Sequence, residues 1–138
     1  MSDDTIGKDN LSRELLASVL DTAMMEFEPV GERAVRLREA GVLCQVSVPG
    51  ERTDYITIAA SWGLSPDVPL EEKLARANRV NNSFIAVRAG IDDDGDLILD
   101  VQVLLSAPIT KRYFVLTLKR FAGICKEAVQ EHFNDICK

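Results

Sequence analysis

In "IDDDGDL" (residues 91–97), Asp92, Asp94 and Asp96 alternate as the first three oxygen ligands of a calcium loop would. Such a loop also needs glycine at its sixth position and a bidentate glutamate at its twelfth. Counted from Asp92, those places hold Leu97 and Val103. Alternating apolar runs, not helices, flank the stretch. Asp94-Gly95 between such runs is a hairpin signal, because glycine supplies the positive φ that a tight turn requires. The segment is predicted to be a turn, with no metal site.

The other reactive side chains do not assemble into a site by spacing. His132, the one histidine, lies seven residues after Cys125. On a helix that is two turns, the same face but about 10 Å apart along the axis, too far for the contact a nucleophile and its base require. Both are expected to pack in the core. Cys44 alternates with valines and reads as a small buried apolar residue. There is no Gly-rich phosphate loop and no H-E-x-x-H, and Ser47, Ser61 and Ser106 lack a G-x-S-x-G setting. The acidic pairs Asp92–Asp94 and Glu71–Glu72 fall on a turn and at a helix start, where solvated charge is ordinary. No enzyme activity and no cofactor are expected.

Sixteen basic residues against 22 acidic ones give the 138-residue chain a net charge of −6, opposite to the footprint of a nucleic-acid binder. The alternative to protein binding is a local basic patch, Lys111, Arg112, Lys119 and Arg120, on an otherwise acidic molecule. A solvated helix face is the reading preferred for these four residues. No run approaches the ~18 apolar residues that cross a bilayer, and "MSDDTIGKDN" is polar and acidic, unlike a signal peptide. Cys44, Cys125 and Cys137 are odd in number and widely spaced, as suits free thiols in a reducing compartment. The chain is therefore expected in the cytoplasm.

The elements that must position any surface follow from periodicity. Residues 1–10 are expected to be a disordered tail, and 11–138 one α+β domain. "NLSRELLASVLDTAMMEFEP" carries a helical stripe from Leu15 to Phe27, capped by Asn10 or Ser12 and stopped by Pro29. Three runs of period two follow, "RAVRLRE", "VLCQVSV" and "DYITIAASW", with turns at "EAG" and "PGERTD" too short for helical crossovers, so they form an antiparallel meander. Ser65 or Asp67 caps a second helix with Leu70, Leu74, Ala77 and Val80 as its apolar stripe. The strands "FIAVRAGI" and "LILDVQVLL" flank the Asp-Gly turn. A last helix runs from Ser106 or Thr110 to the end, with Phe114, Leu118, Phe121, Cys125, Ala128, His132 and Ile136 inward. The expected fold is a two-layer α+β sandwich, a five-stranded antiparallel sheet with helices on one side, in the order α-β-β-β-α-β-β-α.

The parity that leaves this sheet uncovered is half apolar: Leu43, Tyr55, Ala59, Phe84, Ile98 and Leu104 mixed with Gln45, Thr57, Arg88, Asp100 and Gln102. The last helix carries Tyr113, Leu116 and Ile124 on a second side. Mixed surfaces of this kind mark partner sites. Tyr55, Phe84, Arg88, Ile98, Leu104, Tyr113 and Leu116 are the candidate protein-interface residues.

"LARANRVNNSFIAVRAGIDDDGDLILDVQVLLSAPITKRYFVLTLKRFAGICKEAVQEHF" (residues 74–133) resembles the YbjN family of bacterial proteins. The shared marks are a helix ending in asparagines (Asn78, Asn81, Asn82), a strand, a D-x-D-G turn, a second strand and a long helix ending near Phe133. The run is also similar in outline to class I chaperones of type III secretion. The resemblance implies a homodimeric, non-enzymatic protein that binds a client or regulates other proteins, with roles in regulation and stress. It supplies no catalytic residues. The asparagines are expected to cap their helix.

Overall fold

Alternation of apolar and polar residues builds the sheet, and spacing of three and four builds the helices that cover one of its sides. The structure is a computed structural model and describes residues 4–138. The chain runs β1 (Thr5–Ile6), α1 (Arg13–Thr22), β2 (Glu28–Val30), β3 (Ala34–Glu39), β4 (Val42–Ser47), β5 (Tyr55–Trp62), α2 (Leu70–Ser83), β6 (Arg88–Ile91), β7 (Leu97–Leu104), β8 (Ile109–Thr110) and α3 (Lys111–His132). The expected α+β class and antiparallel sheet are found, but the main sheet has six strands, in the order β2-β3-β4-β5-β7-β6. The added strand is β2, at the edge. Pro29, read above as a helix stop, sits in this strand, where an edge position tolerates its missing donor.

The inner face is close to continuous hydrocarbon. Val35, Leu37, Cys44, Val46, Ile56, Ile58, Leu97 and Leu99 are all buried there. Leu16, Val19 and Leu20 of α1, Ala77 and Val80 of α2, and Phe114, Leu118, Phe121 and Cys125 of α3 close over them. Ser12 caps α1, its hydroxyl accepting from the Leu15 amide at 3.0 Å. Thr110 caps α3 in the same way, accepting from Tyr113 at 2.9 Å.

Several further expectations need correction. Residues 4–10 are ordered, not a free tail. Ile6, fully buried, pairs with Ile109 in a second, two-stranded sheet formed by β1 and β8. The Asn10 side chain folds the segment by accepting from Gly7 and donating to the Thr5 carbonyl. Residues 1–3 lie outside the described residues. Helix α1 stops at Thr22, because Met24 adopts a left-handed φ of 62° and Met25 donates back to the Leu20 carbonyl, so Phe27 is outside the helix. The residue at the α2 N-cap is Pro69, with no side-chain cap. On α2 Leu70 and Leu74 are exposed while Lys73 is buried, its ammonium donating to the Gly95 carbonyl at 2.8 Å. Finally, the strand expected over 84–91 starts only at Arg88. Ala86 has φ +68°, which turns 84–87 off the sheet and leaves Ile85 78% exposed.

Helix α3 ends at His132, short of the chain end. The last residues return as a strap, with an isolated bridge between Leu64 and Cys137 and a bond from Ser65 to Ile136. Arg76 of α2 holds this strap, donating to Asp135 at 2.6 Å and to the His132 carbonyl at 3.1 Å. Its guanidinium keeps the Asp135 carboxyl below the usual carboxylate range.

Candidate protein-interaction surface

The aspartate stretch is a five-residue loop closing the β6–β7 hairpin. Asp92 Oδ1 accepts from the amides of Asp94 and Asp96, each at 2.9 Å, and Gly95 takes φ +81°. Asp96 Oδ1 accepts from the Leu64 amide at 2.9 Å. These carboxylates hold backbone, and Lys73 fixes the loop from above. The stretch is a turn.

Burial governs the thiols. It pushes the Cys44 thiol up to about 11 and raises Cys125 further still, so both are held as protonated thiols. Cys137, half-buried in the terminal strap, is raised by burial and by Asp135. His132 packs edge-on against Phe84, with ring centroids 6.3 Å apart. Its Nε2 stands 3.7 Å from the Glu131 carboxylate and has no hydrogen-bond partner among the described residues. Cys125 is buried in the core, whereas His132, expected there too, is only partly buried and lies outside the core cluster.

The outer face of the sheet is open, and the register lays out its rows. Tyr55 faces Leu104, Thr57 faces Gln102, Ala59 faces Asp100 and Ser61 faces Ile98 across β5 and β7. Arg88 of β6 continues the third row and binds Asp100 through two hydrogen bonds at 3.0 and 2.9 Å. Tyr55 is half-buried beneath the Arg52 guanidinium, 5.7 Å from the ring centroid. Leu43 and Leu104 are exposed, and Ile98 is half-buried. A shallow concavity of about 300 Å³ lies between Leu43, Gln45, Ala59, Ser61 and Ile98. Among the described residues, neither a carpet of charge nor a helix covers this surface.

Of the seven candidates, Tyr55, Arg88, Ile98 and Leu104 lie together on this face. Phe84 does not, because at the C-cap of α2 it turns to the helical side and meets His132. Tyr113 (54% exposed) and Leu116 (52% exposed) stand near the start of α3. Tyr113 lines a groove with Leu104, while Leu116 lines a different one, against α1.

The basic residues do not form one patch. Lys111 and Arg112 border the groove beside α1 together with Asp4, while Lys119 lies in a concavity that also holds Glu26, Glu28 and Glu39. Mixed charge at the second place removes the concentrated field that phosphate binding needs.

Sequence reasoning missed the role of Asn81. Its amide donates to the Ala89 carbonyl at 3.1 Å while its oxygen accepts from the Ala89 N–H at 2.7 Å. Asn81 therefore does not cap α2, as was expected of the asparagines. It closes the edge of β6, presenting to that strand the donor and acceptor a neighbouring strand would offer. The signal available was the spacing of eight residues between a helix-end asparagine and a strand.

The family model YbjN, described as "Putative bacterial sensory transduction regulator", matches residues 12–133. The chain belongs to the YbjN family. The crystal structure of YbjN from E. coli, described as "a putative transcription regulator", superposes with a TM-score of 0.75 at 19% identity, covering 91% of this chain and 94% of that one. An uncharacterized protein from Methanothermobacter thermautotrophicus gives 0.66 at 14% identity, covering 91% and 99%. The Yersinia pestis type III secretion chaperone SycH, solved in complex with a stable fragment of YscM2, gives 0.57 at 14% identity, covering 86% and 97%. No curated protein matches. YbjN proteins and these chaperones thus share this fold, as the resemblance in residues 74–133 implied.

Proposed function

We propose that this YbjN-family chain is a non-enzymatic protein-binding module that works as a homodimer in the cytoplasm, in a chaperone-like or regulatory role. The observation that carries the reading is the open outer face of the sheet. There, Leu43, Tyr55, Ile98 and Leu104 interrupt a polar surface that the chain's own helices leave uncovered. Burying such side chains against a partner stabilises a complex by roughly 25 cal/mol per Å² of apolar area removed from water. The fold shared with SycH supports a chaperone-like role, because that protein holds a fragment of another protein on the same architecture. The family description supports a regulatory one. For the dimer, the support is the second apolar side of α3 at Tyr113 and Leu116, together with Leu70 and Leu74 on α2, all of which stand exposed. No helix among the described residues is long and apolar enough to cross a membrane.

Light scattering at micromolar concentration tests the dimer directly, and a strictly monomeric mass removes that part of the reading. Identifying co-purifying proteins by mass spectrometry tests the rest. Wild-type chain is expected to retain a partner that the double variant Ile98→Glu, Leu104→Glu loses, with the melting temperature little changed. Equal retention by both argues against the outer face.

A further inference from the structure

The strand β7 has one bare edge. β5 pairs with it along its whole length, from Leu97 to Leu104, whereas β6 pairs with it only from Leu97 to Asp100. The direction of the remaining backbone groups follows from the ladder. Asn81 holds the N–H and C=O of Ala89, so these point away from β7, and those of the facing Leu99 point to β5. Leu105 likewise donates toward the β5 side, to the Asp54 carbonyl at 2.8 Å. With a period of two, the N–H and C=O of Gln102 and Leu104 are directed to the side where β6 has ended. No backbone hydrogen bond joins them to residues 84–87 among the described residues.

Ala86 is the cause of this gap. A left-handed φ of +68° is costly for alanine, and it swings the segment away just where it would otherwise have continued β6. Between that segment and the start of α3 lies a cavity of about 620 Å³, lined by Ala86, Val101, Leu104, Ile109, Tyr113 and Thr117. Its walls are largely apolar and its floor offers strand-spaced donors and acceptors. One cation stands beside it. Arg120 follows Tyr113 and Thr117 along one helix face, is exposed, and joins no ion pair among the described residues. Asp100, the carboxylate at the other end, is already held by Arg88. On a chain of net charge −6, this slot favours an acidic occupant.

We propose that the β7 edge at Gln102–Leu104 binds an extended segment of a partner protein as an added strand, with aliphatic side chains at alternate positions and acidic residues between them. The proposal rests on the protein-binding reading above and goes beyond it in naming the mode and the chemistry of the segment. Main-chain bonds to Gln102 and Leu104 supply affinity, the pocket beside Tyr113 takes the aliphatic side chains, and Arg120 selects acidic neighbours.

The probe is a set of acetylated, amidated peptides of about eight residues in which Val or Leu alternates with Asp or Thr, a length set by the ~3.3 Å rise per strand residue. They are titrated into the full 15N-labelled chain. Saturable shifts centred on the Gln102 and Leu104 amides are expected. N-methylation of every second peptide amide, and replacement of Asp by Lys, should each weaken binding about tenfold or more. Gln102→Pro should do the same, because it removes a slot-facing N–H while the bonds to β5 come from Val101 and Val103. Should that variant unfold, Thr117→Glu on the opposite wall of the pocket makes the same test. Absence of shifts at these amides up to about 1 mM peptide, or binding indifferent to N-methylation, overturns the proposal. Shifts confined to Leu43 and Ile98 overturn the slot but leave the protein-binding reading standing. Concentration-dependent protection of Gln102 and Leu104 in peptide-free protein makes the occupant a second copy, and overturns the proposal too.

Discussion

The two faces of β7 are one residue apart and obey different rules. Leu97 and Leu99 are fully buried under the helices, while Ile98 and Leu104, equally apolar, face outward half-buried or exposed. The inner side is fixed by packing against α1, α2 and α3. The outer side is fixed by register alone and keeps apolar side chains that contribute little to the fold. The protein-binding reading rests on these apolar residues, placed where the chain's own elements do not fully bury them.

The largest expected effect tests that contrast. Leu99→Ala should lose about 2–5 kcal/mol of stability, through the lost transfer energy and a cavity that the surrounding sheet and helices cannot fully close. Ile98→Ala, on the adjoining residue, should lose less than about 1 kcal/mol. Chemical denaturation of both variants measures the difference. Similar losses would mean that the outer face is covered in solution, and a concentration-dependent loss for Ile98→Ala would point to a dimer interface there.

The inner face was legible because alternation over six to eight residues leaves one parity for the core, and β3, β4, β5 and β7 followed it. The hairpin at Asp94-Gly95 and the Thr110 cap were legible for the same local reason. What was not legible depended on contacts distant in sequence or on conformations the residue type does not announce. "FIAVRAGI" reads as eight residues of strand, yet an alanine at Ala86 takes a conformation expected of glycine, and half of the strand is lost. Lys73 falls on the buried side of α2 only because the Gly95 carbonyl, 22 residues away, meets its ammonium. β1, β2 and β8, at two or three residues each, are too short to show any period. Of the surface, the open face could be read from parity. The slot at Gln102 could not, since it is made by where β6 stops.

A second contrast separates buried from half-buried thiols. Burial raises Cys44 from 9.0 to about 11, so the folded chain holds this proton more tightly than the unfolded one. The resulting stability is fully present below pH 9 and is lost as pH rises toward 11. The loss is on the order of 2–3 kcal/mol, counting about 1.4 kcal/mol per pH unit. Cys44→Ala removes the group and should flatten this alkaline slope, although the variant starts from a lower stability. An unchanged slope would assign the alkaline loss to other groups. Neutral-pH alkylation should reach Cys137 before Cys44 or Cys125.

The smallest effect compares two alanines with the same backbone strain in different surroundings. Ala40, φ +52°, and Gly41, φ +79°, form the two-residue turn between β3 and β4. Positive φ at both central residues is the primed turn that suits the twist of a hairpin. Ala40→Gly relieves left-handed strain of about 1–2 kcal/mol and gives back about 0.4–1 kcal/mol in unfolded-state entropy, for a net gain near 0.5–1 kcal/mol. At Ala86 the same arithmetic applies to stability, but glycine there also frees residues 84–87 to rejoin the sheet and continue β6 along Gln102. Ala86→Gly is therefore expected to gain similar stability and to slow hydrogen exchange at the Gln102 and Leu104 amides, whereas Ala40→Gly leaves those amides unchanged. If both substitutions leave exchange at β7 alike, the strain at Ala86 is not what holds the edge open. The opening would then have to come from α3, whose Tyr113 and Thr117 form the opposite wall.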